Sequence, residues 1–270
     1  MNGREVLITG VGLVTSLGRN AEENLAGLKQ GRTGLRETPR EGLPRAVGIV
    51  GQAGEVDALA GLNPRLLPHA KFLNRGSLLG LAAAREAERN AGLNLLDVPP
   101  ERKSAYVGGG DMDRIDYRDF YPAMREATGG AWERVDAARL NKASLGGVNP
   151  FFLLESLYNN IFSFFTFVIE ERVPSTSLAA QSPCGAQAAA LAFRSVQEGL
   201  ADAALAVGSC NWISALAACE LRGLCLLSQG REGVRSFRPF DRRRDGFFPG
   251  EGAAALLLES AEHARGRRAR

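Results

Sequence analysis

Residues 175–207 constrain the fold of this chain most tightly. A short β-type run, Ser175 to Gln181, turns at Pro183-Cys184 into an alanine-rich helical pattern over Gly185 to Gly199. Ala203 to Val207 then forms an apolar run of the kind found in buried parallel strands. Strand, helix and strand in such close succession predict a layered α/β fold, in which helices cover the faces of a sheet. The turn also places Cys184 in the first turn of a helix, where a thiol faces unsatisfied backbone N–H groups and the positive end of the helix dipole. Folds present nucleophilic cysteines this way. A small buried thiol without chemistry fits the same pattern, because cysteine packs like a hydrophobe.

The rest of the chain continues the alternation. Glu5 to Thr15 reads as a strand interrupted by Gly10 and Gly12, and Asn20 caps an amphipathic helix that runs through Leu28. Gly31 to Pro68, rich in Gly, Pro and Arg, reads as surface loop with one strand candidate at Ala46 to Val50. Phe72 to Asn90 is a helix that Gly92 ends, Ser104 to Gly108 a strand, and Tyr117 to Thr128 a helix, whereas Gly129 to Gly147 has no clear pattern. Phe151 to Phe167, with six phenylalanines, suits a helix that is apolar on more than one side. Ile213 to Arg222 reads as a further helix and Gly250 to Glu259 as a last strand.

Several functions are disfavoured. The Gly10-Val-Gly12 pair lacks the third glycine and the later acidic residue of a dinucleotide site. The four cysteines are too widely spaced for a CxxC knuckle and have no histidine among them, so neither zinc nor another cofactor is expected. A formal charge of +3, from 33 basic and 30 acidic side chains, argues against nucleic acid as a partner; the arginines of 231–244 and 263–270 read as solvated surface. Ile161 to Ile169 is too short to span a bilayer, and Arg4-Glu5 leads straight into a strand rather than a signal peptide, so the expected compartment is the cytoplasm.

Several segments, in order and over nearly the whole chain, resemble the β-ketoacyl-acyl-carrier-protein synthases, the condensing enzymes of fatty-acid and polyketide synthesis. They are Val6-Leu-Ile-Thr-Gly-Val-Gly-Leu-Val-Thr-Ser-Leu-Gly18, Asn24 to Leu35, Ala82-Ala-Ala-Arg-Glu-Ala87, Ser182-Pro-Cys184-Gly-Ala and Ala201 to Ser209. The most diagnostic is Arg238-Pro-Phe-Asp-Arg-Arg-Arg-Asp-Gly-Phe-Phe-Pro-Gly-Glu-Gly-Ala253. The resemblance implies the thiolase-like fold of two similar α/β halves. Residues 1–270 are then expected to form the N-terminal half, a layered mixed sheet with helices, with the C-terminal half absent. That half carries the family's two catalytic histidines, a lysine and a loop completing the oxyanion hole. By position, His69 and His263 do not substitute for them.

The same resemblance makes Cys184 the nucleophile that accepts an acyl group from an acyl carrier protein. It implies dependence on a dimer partner, either a complete ketosynthase or a complementary subunit, through a buried interface above about 2,000 Å². The alternative is a non-catalytic partner similar to chain-length factors. Lys71, Arg75 and Arg65 occupy text where relatives grip the acidic carrier, and ordinary surface charge explains them equally well. Met112, Phe162, Phe164 and Phe165 fall where relatives line the acyl tunnel or the subunit seam.

Overall fold

The computed structural model describes residues 3–38, 45–109, 120–151, 159–179 and 183–269. Met112, Gln181 and Ser182 lie outside the described residues, as do the first residues of the expected helix at Tyr117. A five-stranded mixed sheet organises the chain in the order β1 (Val6–Val14), β7 (Glu251–Ser260), β6 (Ala203–Asn211), β4 (Lys103–Gly109), β5 (Thr176–Ala179). The β1–β7 and β7–β6 pairs are antiparallel, and the β6–β4 and β4–β5 pairs parallel. The strands β2 (Leu35–Glu37) and β3 (Ile49–Gly51) form a separate two-stranded ribbon. This is the helix-covered sheet that the alternating pattern predicts, and its mixed strand directions are those that the family resemblance implies.

Two helices cover the two faces near the site. On one face lies α3 (Arg75–Ala91), which starts where the Asn74 side chain accepts the Ser77 N–H at 2.8 Å. It ends at Gly92 in the left-handed region (φ 61°), a conformation that glycine adopts without a side-chain clash. Leu79, Ala83 and Ala87 bury against Ala203, Leu205, Val207 and Leu257 in the main core. The contact is close because β1 offers no side chain there: a Cβ on Gly10 would lie 2.1 Å from the Ala87 carbonyl oxygen, and one on Gly12 1.8 Å from that of Ala83. The Gly-Val-Gly pair thus serves helix-on-strand packing.

On the opposite face lies α7 (Cys184–Gln197), whose Ala188, Ala192 and Val196 pack on Tyr106, Ala204, Ala206 and Leu258. Among the other helices, α1 (Ala21–Lys29) opens as expected, with the Asn20 side chain accepting the Glu23 N–H at 2.8 Å. The helix α2 (Leu67–Ala70) is a single turn, and α4 (Phe120–Ala127) precedes α5 (Ala137–Gly147). The helix α5 fills the stretch without a clear pattern; none of its residues is buried, so it has no apolar face to betray it.

Of the helix expected at Phe151 to Phe167, residues 152–158 lie outside the described residues; the described helix α6 spans Asn160–Ile169 and ends at Glu170 (φ 55°). Phe164 and Phe165 lie in the main core at 5% and 2% exposure, with Phe162 partly buried against it. Phe167 stays outside, its ring stacked on His69 at 5.8 Å. Two final helices, α8 (Ala215–Gly223) and α9 (Ala261–Gly266), complete the described elements. None of the described helices is long and apolar enough to cross a membrane.

Candidate functional site

Cys184 is the first residue of α7, entered through Pro183, and it is buried. Its Sγ–H donates to the Gly109 carbonyl oxygen, 3.3 Å away at the end of β4. The helix start sits this low on the sheet because three glycines meet beneath it. A Cβ on Gly108 would fall 2.5 Å from the Cys184 carbonyl group, and one on Gly208 would meet the Cα of Gly185 at 3.4 Å. In-register pairing of Gly108 with Gly208 sets these two floor positions side by side. The first-turn N–H groups of α7 have no acceptor within the helix, so they remain available to an oxygen developing negative charge beside the thiol.

Cys184 lines a cavity of about 600 Å³, within the range of small-ligand sites. Gly108, Gly208 and Gly252 form its floor, and Trp212, Phe247, Phe248 and Pro249 form one wall. The wall is anchored from behind. Trp212 packs on Phe247 with ring centroids 6.2 Å apart, and the Trp212 N–H donates to the Gly250 carbonyl oxygen at 3.0 Å. Glu251, next in the chain, is buried, and its Oε1 accepts from Arg75 Nη2 at 3.2 Å and from the Ala53 N–H at 3.1 Å. Sequence reasoning does not assign these wall residues, although Phe247, Phe248 and Pro249 belong to the most diagnostic stretch, Arg238 to Ala253; Trp212 lies outside it.

The residues expected to grip a carrier separate in the structure. Arg75 turns inward: besides Glu251 it donates to the carbonyl oxygens of Ala53 and Gly54 at 3.1 and 2.8 Å. Lys71 lies over the rings of Phe72 and Phe151, at 4.9 and 4.8 Å. Arg65 is exposed on the loop before α2. Phe164 and Phe165 fill the core between α3 and the sheet, on the face opposite Cys184. Neither histidine lines the cavity. His69 stacks on Phe167, and His263 Nδ1 lies 2.7 Å from the Glu259 carboxylate. No cluster of three or more His, Cys, Asp or Glu suited to a metal occurs among the described residues.

Comparison with known proteins matches this architecture. A putative mitochondrial 3-oxoacyl-[acyl-carrier-protein] synthase of Schizosaccharomyces pombe is 30% identical over 98% of this chain and 61% of its own length. A putative polyketide beta-ketoacyl synthase of Streptomyces halstedii is 30% identical over 98% of the chain and 60% of its own. The chain thus spans about three-fifths of the length of these curated relatives. Among solved structures, a type II PKS acyl-carrier protein in complex with its ketosynthase superposes with TM-score 0.76 at 21% identity, over 99% of this chain and 61% of the other. A beta-ketoacyl synthase from Burkholderia phymatum gives 0.74 at 23% identity, over 99% and 62%. These superpositions carry the thiolase-like fold of the ketosynthases over to this chain. The family model for the beta-ketoacyl synthase N-terminal domain matches residues 3–264, and the chain belongs to that family.

Proposed function

We propose that this chain supplies the acyl-accepting nucleophile of a ketosynthase that works in fatty-acid or polyketide chain elongation. The carrying observation is Cys184 at the first residue of α7, its thiol bordering a cavity floored by glycines. In the reaction the Cys184 sulfur attacks the carbonyl carbon of an acyl thioester held by an acyl carrier protein. The oxyanion draws on the first-turn N–H groups, the carbon–sulfur bond to the carrier breaks, and the carrier thiol leaves with the proton. Decarboxylative condensation needs further donors for the enolate oxygen. Both histidines of this chain are engaged elsewhere, so we assign those donors to groups other than His69 and His263.

The surface supports a partner. On α7 itself Ala186, Ala190 and Phe193 are exposed one turn apart, and β5 forms an edge of the sheet beside the nucleophile. Incubating the purified chain with an acyl-carrier thioester, alone and with a complete ketosynthase, and searching by mass spectrometry for acylated Cys184 tests the proposal. Absence of the adduct under every pairing rejects it.

A second reading is a non-catalytic partner that shapes the cavity of a complete synthase. One solved neighbour, a ketosynthase/chain length factor with TM-score 0.71 at 24% identity, shares the fold, and the engaged histidines favour this reading. It requires that Cys184→Ala leave product formation by the complex unchanged.

A further inference from the structure

Cys184 shares its cavity with a second thiol. Cys210, near the end of β6, lines the same space, and no disulfide joins any of the four cysteines. The other two, Cys219 on α8 and Cys225 just beyond it, are exposed and lie outside the cavity lining. Sheet geometry sets where the Cys210 side chain stands. Residues two apart along a strand share a face, and a side chain on Gly208 would meet the Cα of Gly185 at 3.4 Å. Cys210 therefore projects from the face that α7 covers. Gly109, whose carbonyl oxygen receives the Cys184 Sγ–H at 3.3 Å, pairs in register with Ser209. One strand spacing and one residue step then set the Cα of Cys210 about 6 Å from that of Gly109.

The floor beside Cys210 is bare. Gly208 precedes it on the same face, and Gly252 lies directly opposite it in the antiparallel β6–β7 pair, so neither raises a side chain next to its sulfur. Gly108 leaves the same room below Cys184. A disulfide spans Cα atoms about 4.4–6.8 Å apart and needs its two sulfurs to rotate into one preferred dihedral angle. Glycine neighbours allow that rotation, and the open cavity of about 600 Å³ gives a small oxidant access to both thiols.

We propose that Cys184 and Cys210 are a redox pair: hydrogen peroxide joins them in a disulfide that caps the nucleophile, and a dithiol reductant releases it. The Cys184 thiolate attacks one peroxide oxygen, the O–O bond breaks, and the departing hydroxide takes up a proton as water, leaving a sulfenic acid. The Cys210 sulfur attacks the sulfenic sulfur, the S–O bond breaks, and the hydroxyl leaves as water with the Cys210 proton. The two sulfurs give up two electrons, and the peroxide is reduced to two waters. The proposal needs only the thiols, so it stands whether or not Cys184 accepts an acyl group.

The test uses C219S/C225S, in which Cys184 and Cys210 are the two remaining thiols. Peroxide is expected to remove two hydrogen atoms from the mass of the single chain and to link tryptic peptides 173–194 and 195–222 under non-reducing conditions. Labelling of Cys184 by iodoacetamide should fall at least tenfold and return with dithiothreitol. Adding C210A or C210S should leave the sulfenic acid open to dimedone, with capture at least tenfold above that of the parent. In excess peroxide those variants should pass to the sulfinic acid, which dithiothreitol does not reverse. A mass unchanged by peroxide, links formed only between two chains, or equal dimedone capture with and without Cys210 would each overturn the proposal.

Discussion

The carbonyl group of Cys184 lies 2.5 Å from the point where a side chain on Gly108 would begin. Real Cβ atoms do not approach backbone so closely, so Gly108→Ala must lift the first turn of α7 off the sheet. Overpacking of this kind costs about 1–3 kcal/mol. Because the lifted residue is the nucleophile, alkylation of Cys184 by iodoacetamide should change several-fold in rate in any fraction that remains folded. A variant with unaltered melting temperature and labelling rate would show that the elbow is not set by this contact.

Glu259 has a fully buried carboxylate, bonded by Thr9, His263 Nδ1 at 2.7 Å and Arg267, whose Nε donates at 2.8 Å. Burial by itself would raise its pKa, but these partners hold it below the ordinary value. The stability it contributes is therefore present above the unfolded-state pKa and is lost as pH falls through the lower folded value. Arg267→Ala leaves a buried charge uncompensated and should cost about 3–5 kcal/mol in denaturant midpoint measurements at pH 7. Arg265→Ala, which breaks an exposed pair with Glu5, should cost less than about 1 kcal/mol.

Glu171 behaves in the opposite sense. Burial pushes its pKa up to about 7 against a hydrogen bond from Ser175 and the charge of Lys103. A carboxyl raised in the folded state makes no demand below the unfolded pKa near 4.5 and destabilises progressively as pH rises to about 7. Glu171→Gln should thus stabilise the chain at pH 8, by on the order of 2 kcal/mol, and have little effect at pH 4. Thermal unfolding across that range checks the sign; stabilisation at pH 4 that vanishes at pH 8 would refute it.

Phe164 and Phe167 share a helix but not an environment. Phe164→Ala opens a cavity in the main core and should cost about 3–5 kcal/mol. Phe167→Ala, at an exposed ring stacked on His69, should change stability by less than about 1 kcal/mol. Similar losses at the two positions, measured by chemical denaturation, would contradict the burial described here.

Much of this architecture was legible in the residues because local chemistry and tertiary packing agree. Asn20 and Asn74 cap helices with their side chains, Gly92 ends one in the left-handed region, and Cys184 begins the alanine-rich helix that its turn announces. What escaped depends on partners distant in sequence. The glycines of β1 do not fit a dinucleotide site, but their packing role shows only when the carbonyls of Ala83 and Ala87 are seen beside them. Arg75 looks like a surface cation until Glu251, 176 residues away, is seen to receive it. The three-residue strand β2 and the exposed helix α5 carry too little periodicity to be read at all.

β5 is only four residues long, borders the sheet, and reaches the elbow of Cys184 within a few residues. Four residues at the border offer few ladder bonds, so the amides of this margin should exchange with solvent sooner than those of β6 at the centre of the sheet.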